Sequence, residues 1–309
     1  MNTKYLICVL GPTAIGKTSL SIKLAQAYQT HIISADSRQF FREMYIGTAA
    51  PEPVELKAAP HHFIHHKSIE EAYSVGDFQR EALEKIDQLF KDHSILILAG
   101  GSGLYVKSIL EGLDDFPDVD PSIRQDLNNI HAQQGLLPLQ EKLRGLDPAT
   151  YSRIDIENPH RVIRALEICI GTGKPYSSYL QKGRLSRNFS VIKIGLTAPR
   201  EEIYSRINKR VDLMTKAGLA EEAKRLLPYK HLNALNTVGY KEMFAYLEGE
   251  YTLEQAVEEI KKNTRRFAKR QLTWFRKEED IHWFPHNSPL EDILKFINNR
   301  ISGQGQEGV

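Results

Sequence analysis

The chain has 309 residues, 41% of them hydrophobic and 26% charged, the composition of a globular protein able to bury the core of one or two domains. No run approaches the ~20 uninterrupted apolar residues that a membrane span needs, and residues 1–10 lack the basic start, long apolar run and cleavage site of a secretory signal. The two cysteines, Cys8 and Cys169, lie in apolar runs and exclude a disulfide framework or a zinc cluster, so the chain reads as cytoplasmic. The net charge of +2 hides an asymmetry: residues 184–277 carry 20 basic and 11 acidic side chains. Such a segment is either a solvated helix face or the docking surface of an anionic partner.

In chain order, Tyr5–Leu10 (YLICVL) reads as a buried parallel strand that ends in Gly-Pro. Helical spacing of Leu20, Leu24, Ala27 and Tyr28 follows over residues 17–28. Residues 31–35 (HIISA) form a second strand ending at Asp36, and residues 94–99 (SILILA) a third ending in Gly100-Gly101. A helix over residues 102–110 and a strand at Val191–Thr197 (VIKIGLT) complete an alternation that predicts an α/β fold with a mostly parallel sheet. Residues 114–121 form an acidic, proline-containing linker, and from there to about residue 187 no strand is predicted. The reading is therefore a core domain, residues 1–115 and 188–309, interrupted by a helical insertion domain at 116–187 that is broken at Gly171–Pro175. Thr252-Leu253-Glu254-Gln255 has capping-box spacing and starts a helix to about residue 277. On it Ile260, Phe267, Ala268, Leu272, Trp274 and Phe275 share one arc, and Lys262, Arg265, Arg266, Lys269, Arg276 and Lys277 the opposite one. Trp274 and Phe275 are read as core residues, and residues 303–309 as a loose tail.

Gly11-Pro12-Thr13-Ala14-Ile15-Gly16-Lys17-Thr18 fits G-x-x-x-x-G-K-[ST], and it sits between a strand and a helix, as that loop must. Its glycines let backbone N–H groups turn inward, and the helix that follows presents its positive end to an anion. Lys17 supplies a cation for the terminal phosphate, and the Thr18 hydroxyl is suited to ligate Mg²⁺. The loop does not say whether the phosphates belong to a nucleotide such as ATP. The strand at residues 95–98 lacks the terminal aspartate expected of a nucleotide hydrolase. Asp36, at the carboxyl end of the second strand, is placed either to act as a general base beside the loop or to cap a helix beginning at Ser37.

Taken in order, GPTAIGKT (Gly11–Thr18), ADSRQFF (Ala35–Phe41), IGTAAP (Ile46–Pro51), PHHF (Pro60–Phe63), GGSGLYVKSIL (Gly100–Leu110), NPHRVIRALEI (Asn158–Ile168), VGYKE (Val238–Glu242) and AKRQLTWFRK (Ala268–Lys277) resemble the tRNA dimethylallyltransferase family over nearly the whole chain. The resemblance implies a P-loop NTPase-like core with a helical insertion. It implies transfer of a dimethylallyl group from dimethylallyl diphosphate to N6 of adenosine 37 in tRNA, next to the anticodon, with release of diphosphate. It makes Asp36 the general base, with Lys17, Thr18-bound Mg²⁺ and Arg210 acting on the diphosphate; a solvated or salt-bridged Arg210 is the alternative. It assigns RNA contacts to Asp36-Ser37-Arg38-Gln39, Ser102, Arg124 and His160-Arg161-Val162-Ile163-Arg164. Arg161 and Arg164 either clamp a strand of RNA backbone or pair with Glu157 and Glu167.

The sequence departs from the family pattern at Ser102, commonly threonine, at His160, commonly glutamine, and at Ile15, often serine. None of these removes a chemical role. His61, His62, His65 and His66 superficially suggest a metal cluster, although no cysteine accompanies them. The expected partners are the tRNA anticodon stem-loop and dimethylallyl diphosphate, with no membrane and a monomeric protein. The rival is a P-loop small-molecule kinase, in which Asp36 activates a hydroxyl and ATP occupies the loop.

Overall fold

The computed structural model describes residues 3–180 and 186–303. Arg184, at the head of the basic segment, and the tail beyond Gly303 lie outside the described residues. The chain opens with β1 (Tyr5–Leu10), α1 (Lys17–Ala27), β2 (Ile32–Ser34), α2 (Pro53–Ala58), β3 (His61–His62), α3 (Val75–Leu89), β4 (Ile95–Gly100) and α4 (Gly103–Glu111). Helices α5 (Pro121–Gln134), α6 (Leu137–Leu146), α7 (Pro148–Tyr151) and α8 (Pro159–Thr172) come next. Strand β5 (Ser190–Thr197) returns to the sheet, followed by α9 (Arg200–Lys216), α10 (Leu219–Leu226), α11 (Tyr240–Leu247), α12 (Leu253–Phe275), β6 (Ile281–Pro285) and α13 (Leu290–Ile301).

The sheet order is β3-β2-β4-β1-β5-β6, and every neighbouring pair is parallel. Tyr5 stands opposite both Ile95 and Ser190, so β1 is the central strand, and β1 is almost wholly buried. The alternation of side chains decides what it packs against. Leu6, Cys8 and Leu10 join Phe78, Ile86, Ile109 and Phe275 on one face. Ile7 and Val9 join Leu24, Ile203, Ile207 and Ile297 on the other. All four strands read from the sequence are present. The two it missed, β3 and β6, are the edge strands: the former has two residues and the latter ends in a proline. Because all strands run the same way, the loops after β1, β2 and β4 open on one edge, where parallel sheets bind ligands.

The chain divides into two compact units, residues 3–111 with 186–303, and residues 112–180. The second is helical among its described residues. Its core is Leu127, Leu139, Leu143, Val162, Ile163 and Leu166. Asp120, Asp147 and Asn158 cap α5, α7 and α8 through their side chains, and each of those helices starts with proline, whose missing N–H costs nothing there. Gly173, at φ 68°, ends α8 within the predicted breaker.

One buried carboxylate shapes the loop after β2. Glu222 of α10 is 2% exposed and accepts from the amides of Tyr45 (3.1 Å), Ile46 (2.9 Å) and Gly47 (2.8 Å), and from the Tyr240 hydroxyl (2.7 Å). Burial and the neighbouring Glu222 charge push the Tyr240 phenol far up, so it stays a neutral donor. The IGTAAP and VGYKE segments, about 190 positions apart along the chain, thus meet at one side chain. Tyr240→Phe leaves a buried acceptor short of one donor and is expected to cost about 1–3 kcal/mol. Urea unfolding with an unchanged m-value checks this; a midpoint equal to wild type would deny Glu222 this dependence.

Candidate active site

The phosphate-binding loop leaves β1 at Gly11, whose φ of +141° is open only to glycine; a Cβ there would stand 2.7 Å from the Leu196 carbonyl oxygen of β5. Ala14 and Gly16 are also left-handed, at φ 65° and 109°. Gly16 caps α1 without any side-chain hydrogen bond, which leaves the first amides of that helix free for an anion.

Four side chains hold the loop. Lys17 Nζ donates to the Pro12 carbonyl at 2.8 Å, and Arg206 Nε to the Ala14 carbonyl at 2.8 Å. An Arg210 guanidinium nitrogen donates to Thr13 Oγ1 at 3.2 Å, and the Thr13 amide donates to Gln271 Oε1 at 2.8 Å. Burial pulls the Lys17 ammonium from 10.5 down to about 8; Asp36 opposes that shift and Arg210 adds to it. Burial also lowers Arg210, against the pull of Asp36. Arg210 therefore belongs to the loop environment rather than to a solvated helix face. Asp36 is the carboxylate that both cations sense.

Asp36 follows β2 and does not cap a helix. Its Oδ1 accepts the Arg38 amide at 3.1 Å and its carbonyl the Gln39 amide at 3.2 Å, a tight turn. The turn leaves the Asp36 side chain lining two cavities. One, about 290 Å³, is polar and runs along Gly16, Lys17, Thr18, Glu55 and His61. The other, about 540 Å³, is lined by Ser37, Ser102, Leu104, Val211, Met214, Val238, Phe267 and Trp274. Thr13, Asp36, Thr48, Ala49 and Arg210 line both.

The other expected contacts differ in what the fold leaves free. Ser37 and Ser102 face each other, with hydroxyls 3.3 Å apart, at the wall of the larger cavity. Arg38 donates to the carbonyls of Asn233, Ala234 and Asn236, and Gln39 to those of Thr48 and Ala49, so both already brace the rim. In the helical unit, Val162 and Ile163 are 0% and 3% exposed and serve its core, which removes their side chains from any RNA surface. His160 and Arg161 are exposed. Arg124 and Arg164 each donate to Glu167 at 2.9 Å, and Arg164 lies 5.4 Å over the Phe116 ring. Glu167, not Glu157, is therefore the partner that Arg164 takes.

Helix α12 also departs from expectation. Phe275 is core, but Trp274 and Phe267 are 39% and 38% exposed and line the large cavity. Along the cationic arc, Lys262 pairs with Glu259, and Arg265 donates to Asn208 and lies over Tyr204. Arg266, Lys269, Arg270, Thr273, Trp274 and Lys277 instead line an open groove of about 420 Å³, which shares Arg270 and Trp274 with the large cavity. Arg206 and Gln271 were missed. For Gln271 a signal existed, a lone amide on the stripe that carries Ala268 and Phe275. Among the described residues no group of three or more His, Cys, Asp or Glu side chains is placed to hold a metal ion. His62 stacks on His31, and His66 packs edge-on to Phe40, Phe63 and Tyr73. Burial holds His62 and His66 down at about 4.

Comparison with known proteins places these features in context. The IPP transferase family model matches residues 39–278. A Christiangramia forsetii protein named tRNA dimethylallyltransferase is 60% identical over 300 residues, 97% of this chain and 99% of that one. A tRNA isopentenylpyrophosphate transferase structure from Bacillus halodurans matches with TM-score 0.73 and 37% identity, covering 98% of each chain. A eukaryotic dimethylallyltransferase acting on tRNA matches with TM-score 0.80 and 25% identity, over 97% of this chain and 80% of that one. The six-stranded parallel sheet is thus of the P-loop NTPase-like kind.

With Lys17 lowered to about 8, an anion held by this loop would bind with a pH dependence. The native ammonium loses its proton near 8, before the unfolded chain does, so it contributes rising stability between about pH 8 and 10.5. An anion needs the protonated form, so affinity moves the opposite way. Affinity for inorganic diphosphate, measured by calorimetry, is expected to fall between pH 7 and 9 more steeply in wild type than in Lys17→Met. Equal slopes would take Lys17 out of the anion site.

Proposed function

The chain belongs to the IPP transferase family, and from that premise we propose that it transfers a dimethylallyl group from dimethylallyl diphosphate to N6 of adenosine 37 in tRNA. One observation supports this above the others: Asp36 lines both the polar cavity of the phosphate-binding loop and the aromatic cavity beside it. A diphosphate ester held by the loop brings its allylic carbon to that junction. An adenine lying along Trp274 and Phe267 brings its amino group there from the other side. The target base has to leave the anticodon-loop stack to do so, as enzymes that act on bases require.

The reaction asks two things of the protein. The adenine amino group is a poor nucleophile because its lone pair is delocalised into the ring. As N6 bonds to the allylic carbon, Asp36 accepts its proton. The carbon–oxygen bond breaks with its electron pair leaving on diphosphate, and that charge meets the free amides of α1, Lys17 and Arg210. Thr18 fits Mg²⁺. Its hydroxyl is a hard donor that lines the polar cavity and makes no hydrogen bond to another described residue. Mg²⁺ bound there with the diphosphate would neutralise charge on the leaving group. The kinase alternative shares the loop and Asp36, but the relatives support prenyl transfer instead.

The groove of Arg266, Lys269, Arg270 and Lys277, opening beside Trp274, supports an RNA acceptor rather than a free nucleotide. In the helical unit the exposed His160 and Arg161, and the outward parts of Arg124 and Arg164, are the expected groups that RNA can reach. No helix among the described residues is long and apolar enough to cross a membrane. A cytoplasmic setting accords with two buried, free cysteines.

A transfer assay with Mg²⁺, dimethylallyl diphosphate and an anticodon stem-loop, read by nucleoside mass spectrometry, is expected to show adenosine heavier by one dimethylallyl group. A parallel reaction with ATP should show no product, and the reverse pattern would favour the kinase. Asp36→Ala should abolish transfer while stem-loop affinity stays near wild type; full turnover would exclude the general base. Alanine at Arg266, Lys269, Arg270 and Lys277 together should weaken stem-loop binding and flatten its salt dependence. By contrast, alanine at Lys262 and Arg265, tied within the protein, should leave the slope nearly unchanged.

A further inference from the structure

Helix α12 turns exposed cations to one side and Gln271 to the other. Gln271 is 7% exposed. Its Oε1 accepts the Thr13 amide at 2.8 Å, and its Nε2 donates to the Gly101 carbonyl at 2.9 Å. The loops after β1 and β4 are thereby joined through one side chain of a third element. The fit is close: a Cβ on Gly101 would stand 2.4 Å from Gln271 Nε2 and 3.4 Å from Lys17 Nζ. The task needs a planar group that donates and accepts at the tip of a long stem. Glutamate does not donate when ionised, lysine does not accept, and methionine does neither usefully. Three residues along the helix, Trp274 lines the large cavity, and Arg270 lines both that cavity and the cationic groove.

We propose that Gln271 is a positioning residue that couples RNA docking on α12 to the diphosphate loop. RNA seated on Arg270 and Trp274 restricts the helix, the helix restricts Gln271, and Gln271 fixes Thr13 and Gly101. RNA and diphosphate then raise each other's affinity by one common factor, as linkage requires. The proposal rests on reading α12 as the RNA-facing helix and the loop as the diphosphate site.

The test measures four binding constants by calorimetry in Mg²⁺: inorganic diphosphate with and without saturating stem-loop, and stem-loop with and without saturating diphosphate. Wild type is expected to show the same factor, about fivefold or more, in both directions. In Gln271→Met diphosphate alone should bind more weakly, since Thr13 loses its brace, while stem-loop alone binds nearly as before and the factor falls to about one. A merely structural glutamine would leave the factor intact however much the single affinities fall, which would overturn the proposal. Hydrogen exchange on wild type gives a second reading that does not depend on the variant folding. Stem-loop without diphosphate should slow exchange in a peptide covering residues 8–20. Stem-loop that binds without slowing exchange or strengthening diphosphate overturns the coupling and leaves the function standing. Stem-loop that does not bind overturns the RNA reading and the coupling with it.

Discussion

A glycine-rich loop keeps one shape only where neighbours hold it. Here most of that hold comes from other elements. Residues 12–14 are fastened by Lys17 from within the loop, by Arg206 and Arg210 on α9, and by Gln271 on α12. Two left-handed glycines and a left-handed alanine would otherwise let this backbone wander. The anchors come from two helices that pack on each other and reach both core clusters: α9 places Ile203 and Ile207 in one and Val211 in the other, and α12 places Ala268 in the first and Ile260 and Phe275 in the second. The burial of both helices is therefore a condition of the site's geometry. Charge follows the same plan. Lys17 and Arg210 crowd one side with positive charge, and Asp36 is the counterweight that partly offsets the downward pull of burial on both. The carboxylate proposed as general base is thus also the charge that offsets two neighbouring cations.

The cavities separate two chemistries that a single pocket would mix. An anionic group wants amides, cations and hard oxygens; an apolar or aromatic group wants apolar and aromatic walls. The smaller cavity has the first kind of lining, the larger adds the second, and Asp36 lines both. The Glu222 network matters for the same reason. Thr48 and Ala49 line both cavities, and they follow directly on the three amides that Glu222 holds.

Much of this was legible in the residues. Apolar runs with glycine-rich exits marked β1 and β4, and the phosphate-binding motif stood where a strand met a helix. Capping-box residues located the start of α12, and Thr252 does accept the Gln255 amide at 3.2 Å. What escaped had physical reasons. A two-residue strand has no periodicity to read, and β6 mixes aromatic residues with a proline at the sheet edge. Trp274 shares an arc with core residues, yet its ring lies against Gly103 at the wall of a cavity and stays 39% exposed. Conversely, Val162 and Ile163 belong to an RNA-like motif but face inward, since α8 needs its own apolar stripe. Gln271 illustrates the limit best. Its value lies in two partners 258 and 170 positions away, which no local pattern encodes.

That separation has a consequence for how the molecule is made. Strand β1 ends at Leu10, yet its neighbour β5 begins at residue 190, and the glutamine that fastens its loop lies at 271. The helical unit, by contrast, is continuous in sequence and makes its core from residues 127–169. During synthesis the inserted helices can settle while the sheet around them still lacks a strand. Until β5 is made, the nascent chain therefore carries β1 with one edge unpaired, the kind of exposed strand edge that leaves slowly paired parallel sheets open to aggregation.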